Sequence, residues 1–137
     1  MVTARRGMPR HVRVLWGGLV AVLCYGTVVH IGQLVAGGLT PYDWAPPWLA
    51  GYFTSLTLVD PLAAGLLWAR RAAGLHLAVA VLVTDAAANG YAAYGLGEGG
   101  TTARVAHAVI TTLAAVSLAA APVIRPYLRS RGRSPVQ

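Results

Sequence analysis

The sequence predicts an all-α polytopic membrane protein, an antiparallel bundle of four transmembrane helices with both termini in the cytoplasm. Three observations carry this. Of the 137 residues, 56% are hydrophobic and 11% charged, and the mean hydropathy is +0.58, too apolar for an ordinary soluble domain. Cutting the chain at its Arg and Gly/Pro punctuation leaves four apolar segments, at about 12–36, 48–68, 73–94 and 102–124. At 1.5 Å per residue, each is long enough to cross a hydrocarbon core of roughly 30 Å. Finally, all eleven basic residues are Arg, and all but Arg104 fall in three places: Arg5, Arg6, Arg10 and Arg13 before segment one, Arg70 and Arg71 between two and three, and Arg125, Arg129, Arg131 and Arg133 after four. With four spans these places share one side, which the positive-inside rule makes cytoplasmic. Nucleic acid is not the expected partner of the net charge of +7, because the charge follows topology.

The first segment begins behind an Arg-rich lead, as a signal peptide does, but its apolar run exceeds the usual core of about 7–15 residues and reads as an uncleaved span. It should end near Gly37-Gly38, where Thr40-Pro41 follows. The outer loop from Leu39 to Pro47 holds Tyr42, Asp43, Trp44 and Pro46-Pro47, a stiff aromatic composition suited to the headgroup layer or to covering a cavity mouth. The Arg70-Arg71 turn and the 95–100 loop are short, which makes the helices they join antiparallel neighbours. Residues 1–128 form one domain, and 129–137 read as a disordered basic tail. Cys24 is alone, so a disulfide within the chain is excluded.

Polar residues inside these segments are the functional candidates, because ionisable groups at such depth cost ~2.5 kcal/mol or more. By helical rise, Asp60 lies about 18 Å down the second helix and Asp85 about 16 Å down the third. They form one layer near the midplane. His30, Asn89 and His107 form a second, roughly 10 Å below the outer surface. Gln33 follows His30 by three, Thr111 follows His107 by four, Thr57 precedes Asp60 by three, and Asn89 follows Asp85 by four, so each pair shares a helix face. The pattern is a cavity open outward or toward the outer leaflet, floored by the two acids. Trp48, Tyr52, Phe53 and Tyr91 either anchor the outer interface or wall that cavity. A competing reading makes Asp60 the N-cap of a half-helix started by Pro61. No His-x3-His or Glu-x2-His pair accompanies the histidines, so no metal is assigned, and no cofactor is expected.

His30-Ile31 late in helix one, Asp43 in the first outer loop, Pro46-Pro47-Trp48 leading into helix two, Asp60-Pro61 within it and Asp85 in mid-helix three form a layout that resembles the EXPERA superfamily. These are four-helix membrane proteins that include emopamil-binding sterol isomerases and the sigma-2 receptor. The resemblance implies a central cavity around Asp60 and Asp85, lined by carboxylates and aromatics. Three departures stand out: the Glu often seen in helix two is missing, helix three has Asp where relatives commonly have His, and the chain is shorter. The outline is also similar to small membrane-bound terpene cyclases.

The expected function is binding of a hydrophobic small molecule, a sterol, isoprenoid or lipid, in the plasma membrane. As an enzyme the chain would be an isomerase or cyclase, with Asp85 as proton donor, Asp60 as its partner or base, and His30, Asn89 and His107 orienting. A neutral carboxyl can donate a proton or a hydrogen bond. The remaining ligand-binding candidates are Gln33, Trp48, Tyr52, Phe53, Thr57, Tyr91 and Thr111. Two alternatives stand beside this reading: a small proton-coupled exporter acting as a homodimer, and a structural membrane subunit.

Overall fold

A computed structural model describes residues 7–129. Arg5, Arg6, Arg131, Arg133 and all of the basic tail except Arg129 lie outside the described residues. The described chain is helical: α1 Arg10–Gly37, α2 Pro47–Trp68, α3 Ala72–Gly90 and α4 Gly100–Ile124. All four are long and apolar enough to cross a membrane. α3 continues into a π-helical turn, Tyr91–Gly95, and α4 into a 3₁₀ turn, Arg125–Tyr127.

Local sequence explains the helix ends. α1 stops at Gly37, ahead of Gly38, Thr40 and Pro41. Pro46 precedes α2, whose first residue is Pro47, a position where the missing N–H would have had no helical partner anyway. α2 runs unbroken through Pro61. Asp60 therefore lies inside a continuous helix and does not cap a half-helix. Proline is tolerated at such a point where neighbouring helices re-satisfy the freed backbone.

α1 packs extensively on α2, α2 on α3 and α3 on α4, whereas α1 and α4 touch sparsely. The core runs the length of α2, from Leu49, Phe53 and Leu56 to Leu67, and gathers large side chains from all four helices toward the Arg-bearing end. Val12, Leu19 and Leu23 of α1, Leu67 of α2, Leu75 of α3 and Ile124 of α4 are all buried. α4 buries only Ala114, Ser117, Ala120 and Ile124, so its first half contributes nothing to the core. Much of what remains exposed is apolar: Val35 is 81% exposed and Leu58 76%. Between 17% and 33% of each helix's most apolar stretch is buried. Surfaces of this kind suit hydrocarbon rather than water.

The Arg-bearing end is fastened by polar contacts between distant parts of the chain. Trp16 Nε1 donates to the Leu67 carbonyl at 2.8 Å, the Trp16 and Trp68 rings stack with centroids 5.3 Å apart, and the Arg70 guanidinium sits 5.7 Å from the Trp16 ring centre. The Arg129 N–H donates to the Arg70 carbonyl at 2.7 Å and the Ala72 N–H to the Arg129 carbonyl at 3.1 Å. Arg129 is thus tied to the α2–α3 turn. That turn needs Arg70 at a φ of 55°, a region L-residues enter only with compensation.

Gly74 makes the closest helix approach at this end. A Cβ there would overlap the backbone of Leu66 and Leu67, neither of which can move without shifting α2. Gly74→Ala should therefore destabilise the protein by about 1–3 kcal/mol, as overpacking does, read as a lowered melting temperature in detergent. Gly18→Ala, where nothing lies within 4 Å of the added atom, should be neutral or slightly stabilising through helix propensity.

Candidate functional site

The cavity lies in the half of the bundle away from Arg10, Arg13, Arg70, Arg71, Arg125 and Arg129, between the first half of α4 and the other helices. Its volume is about 630 Å³, within the roughly 300–1,000 Å³ typical of small-molecule sites. All four helices wall it: Val22, Gly26 and Val29 from α1, Phe53 from α2, Val81 and Leu82 from α3, and Ala106, Ile110 and Leu113 from α4. Set into this apolar wall are His30, Gln33, Asp60, Asp85 and Asn89, with Tyr42 and Trp44 from the α1–α2 loop and Glu98 from the α3–α4 loop.

Asp60 is 4% exposed. Its position depends on a glycine: a Cβ on Gly26 would collide with Asp60 Oδ2, so the carboxyl reaches α1 only because residue 26 has no side chain. One helical turn along α1, His30 Nε2 lies 4.0 Å from Asp60 Oδ2, an ion-pair distance too long for a direct hydrogen bond. Asp60 Oδ1 is buried with no protein partner, and so is Thr57 Oγ1 one turn earlier on α2.

The other face of His30 is held by the loop. His30 Nδ1 lies 3.2 Å from Gln33 Oε1 and 3.2 Å from the Tyr42 hydroxyl, while that hydroxyl donates to Gln33 Oε1. Tyr42 is buried and packed against Phe53, with ring centroids 5.2 Å apart, and against Trp44 at 6.5 Å. Burial, with the Asp85 carboxyl adding to it, pushes the Tyr42 phenol up to about 12. The phenol keeps its proton, and the stability it contributes is lost only in strong alkali, as pH passes from the ordinary tyrosine value of 10.0 through the folded one.

Asp85 is oriented from its own helix. Asn89 Nδ2 donates to Asp85 Oδ1 at 2.9 Å and to the Asp85 carbonyl at 3.0 Å. The amide thus fixes one carboxyl oxygen by the shared helix face that a spacing of four provides.

Six of the twelve residues singled out from the sequence meet at the cavity: His30, Gln33, Phe53, Asp60, Asp85 and Asn89. The other six do not line it. Tyr52 donates to Thr84 Oγ1 at 2.8 Å, since the Thr84 proton is turned to the Ala80 carbonyl. Trp48 and Tyr91 pair with each other, centroids 5.5 Å apart, on the surface. His107 bonds Thr111 at 3.2 Å, meets the Tyr94 ring edge-on at 5.3 Å and fills the space beside Gly90. Thr57 faces α2's packed side.

Tyr42, Trp44, Gly26 and Glu98 line the cavity although none was among the twelve site candidates. The aromatic loop composition marks Tyr42 only as a headgroup residue or a cover for the cavity mouth, since the loop path that buries it is not written in a local pattern. Gly26 had no signal in one sequence. Among the described residues, no cluster of three or more His, Cys, Asp or Glu side chains is poised to hold a metal ion. Comparisons with protein-family models, with curated proteins and with solved structures found no match, so the site is read from its own geometry.

The Gly26–Asp60 contact can be tested through non-additivity. Gly26→Ala should lower the melting temperature of the wild type but cost markedly less in an Asp60→Ala background, where the collision is gone. A coupling of about 0.5–3 kcal/mol is expected for residues in such contact. Equal costs in both backgrounds would mean that the two do not press on each other.

Proposed function

We propose that the chain is an integral membrane protein of the plasma membrane, with four antiparallel spans and both termini cytoplasmic, and that its cavity binds a hydrophobic small molecule. The observation that carries the binding reading is the composition of the cavity wall: mostly aliphatic and aromatic, with two carboxyls, Asp60 and Asp85, set within it. An apolar pocket with a few convergent polar groups is the usual form of a small-molecule site. The resemblance to EXPERA proteins points the same way, through the same residues His30, Asp60 and Asp85. The ligand is a sterol, isoprenoid or other lipid. The same acids suit acid–base isomerisation or cyclisation, with Asp85 donating a proton and Asp60 acting as its partner or base.

The orientation rests on the Arg residues. Arg10, Arg13, Arg70, Arg71, Arg125 and Arg129 flank the helix ends joined by the Trp16–Leu67 and Arg129–Arg70 contacts, which supports an antiparallel course with one Arg-rich face. Single cysteines placed at Gly7 and Glu98 in a Cys24→Ala background should differ in labelling by an impermeant maleimide on intact cells. Labelling at position 98 alone is expected; labelling at position 7 alone would invert the topology.

Native mass spectrometry of gently solubilised protein tests the ligand. A defined hydrophobic adduct on the wild type is expected, lost in Asp85→Asn and in Ala106→Trp, which fills the cavity from α4. An adduct that persists in both variants would place the bound molecule elsewhere, and a wild type without an adduct would count against the binding reading.

A further inference from the structure

His30 has two ring nitrogens facing different partners, and the partners decide which one carries hydrogen. Gln33 Oε1 can only accept. The Tyr42 hydroxyl spends its single proton on that same oxygen, leaving only lone pairs for His30. Both neighbours of His30 Nδ1, at 3.2 Å each, are therefore acceptors, so Nδ1 bears the hydrogen. In the neutral ring Nε2 is then the lone-pair nitrogen, and it is Nε2 that faces Asp60 Oδ2 at 4.0 Å.

We infer that Tyr42 and Gln33 are positioning residues that hold His30 as its Nδ1–H tautomer, making His30 Nε2 the acceptor for the proton of Asp60. The transfer balances within the pair. The Oδ2–H bond of Asp60 breaks as the Nε2–H bond of His30 forms, giving carboxylate and imidazolium, and the reverse step restores the neutral pair. About 1 Å of side-chain movement brings the atoms from 4.0 Å to hydrogen-bond distance, and the missing Cβ of Gly26 is what lets the carboxyl lie against α1 one turn from His30. The other titratable groups on the cavity wall are Tyr25, Asp85 and Glu98, and Asp85 is already engaged by Asn89.

Two consequences follow for the site. When the Asp60–His30 pair holds the shared proton it carries no net charge in either form, so the first buried acid then adds no net charge to the cavity. Asp60 Oδ1, buried and without a protein partner, is the oxygen left to accept from a ligand hydroxyl or amine. This second consequence rests on the small-molecule reading of the cavity; the tautomer does not.

Nitrogen-15 NMR of histidine-labelled full-length protein in lipid nanodiscs, with no ligand added and His30 assigned by the His30→Asn variant, reads the tautomer directly. A protonated Nδ1 with an unprotonated Nε2 is expected, and the Nε2–H form should appear in Tyr42→Phe/Gln33→Leu, checked for folding by its melting curve. An Nε2–H tautomer in the wild type, or an unchanged spectrum in the folded double variant, would overturn the inference. Two protonated nitrogens report the transferred imidazolium, which supports the inference if that state is lost in Asp60→Asn and overturns it if it persists there. Should the double variant not fold, the wild-type and Asp60→Asn spectra decide. Because no ligand is present, a negative adduct search leaves this result standing, and a wrong tautomer leaves the adduct search unaffected.

Discussion

A carboxyl group inside an apolar helix has to be solvated by the protein that carries it, and much of this structure is arranged around meeting that need twice. Burying an unpaired carboxylate costs several kcal/mol, comparable to the whole stability of a small domain. Asp85 meets the need locally, through an amide one turn along its own helix. Asp60 does not, since Thr57 one turn earlier on the same face of α2 makes no hydrogen bond to it and both side chains keep an unpaired buried oxygen. It reaches across to α1, where Gly26 clears the space and His30 provides a basic nitrogen. His30 in turn is held by Gln33 and by Tyr42 of the α1–α2 loop, so the placement of one acid propagates to the connection between the first two helices.

The two ends of the molecule divide the work. Near the Arg residues the helices are close, fixed by Gly74 against α2, the Trp16–Trp68 stack and the backbone pairing of Arg129 with the α2–α3 turn. Toward the other end α4 buries nothing before Ala114, and the space that denser packing would have closed is the cavity. Dense packing at one end allows an open, polar interior at the other without loss of a defined backbone.

Much of this was legible in the sequence, and the limits have physical causes. Four helices followed from segment length and punctuation, because the backbone of an apolar segment has one economical way to bond. The carboxyls, His30, Gln33 and Asn89 followed from depth counting, since helical rise and the 3.6-residue turn fix depth and face together. Rotation between helices is not encoded in either number. That is why His107, at the same depth as His30, turns instead to Tyr94 and Gly90, and why Tyr52 serves Thr84. Asp60-Pro61 also admitted the reading of a helix start, and the unbroken α2 excludes that because packing against α1 and α3 carries the helix past the proline. Tyr42 read as a headgroup aromatic or a cavity cover, and its burial against Phe53 depends on the loop path, which no local pattern specifies.

The glycine notch at position 26 also bears on how relatives of this chain are to be found. Gly26 and His30 stand one turn apart on α1 and address opposite needs of the same carboxyl, room and a partner, while Pro61 marks that carboxyl's place on α2. Together they make a composite signature, Gly-x3-His in a first span and Asp-Pro in the middle of the next. It is too short for whole-sequence similarity to detect. Because it encodes a fit between two helices, it should persist in diverged chains whose remaining surface has been rewritten under the weaker demand of being apolar.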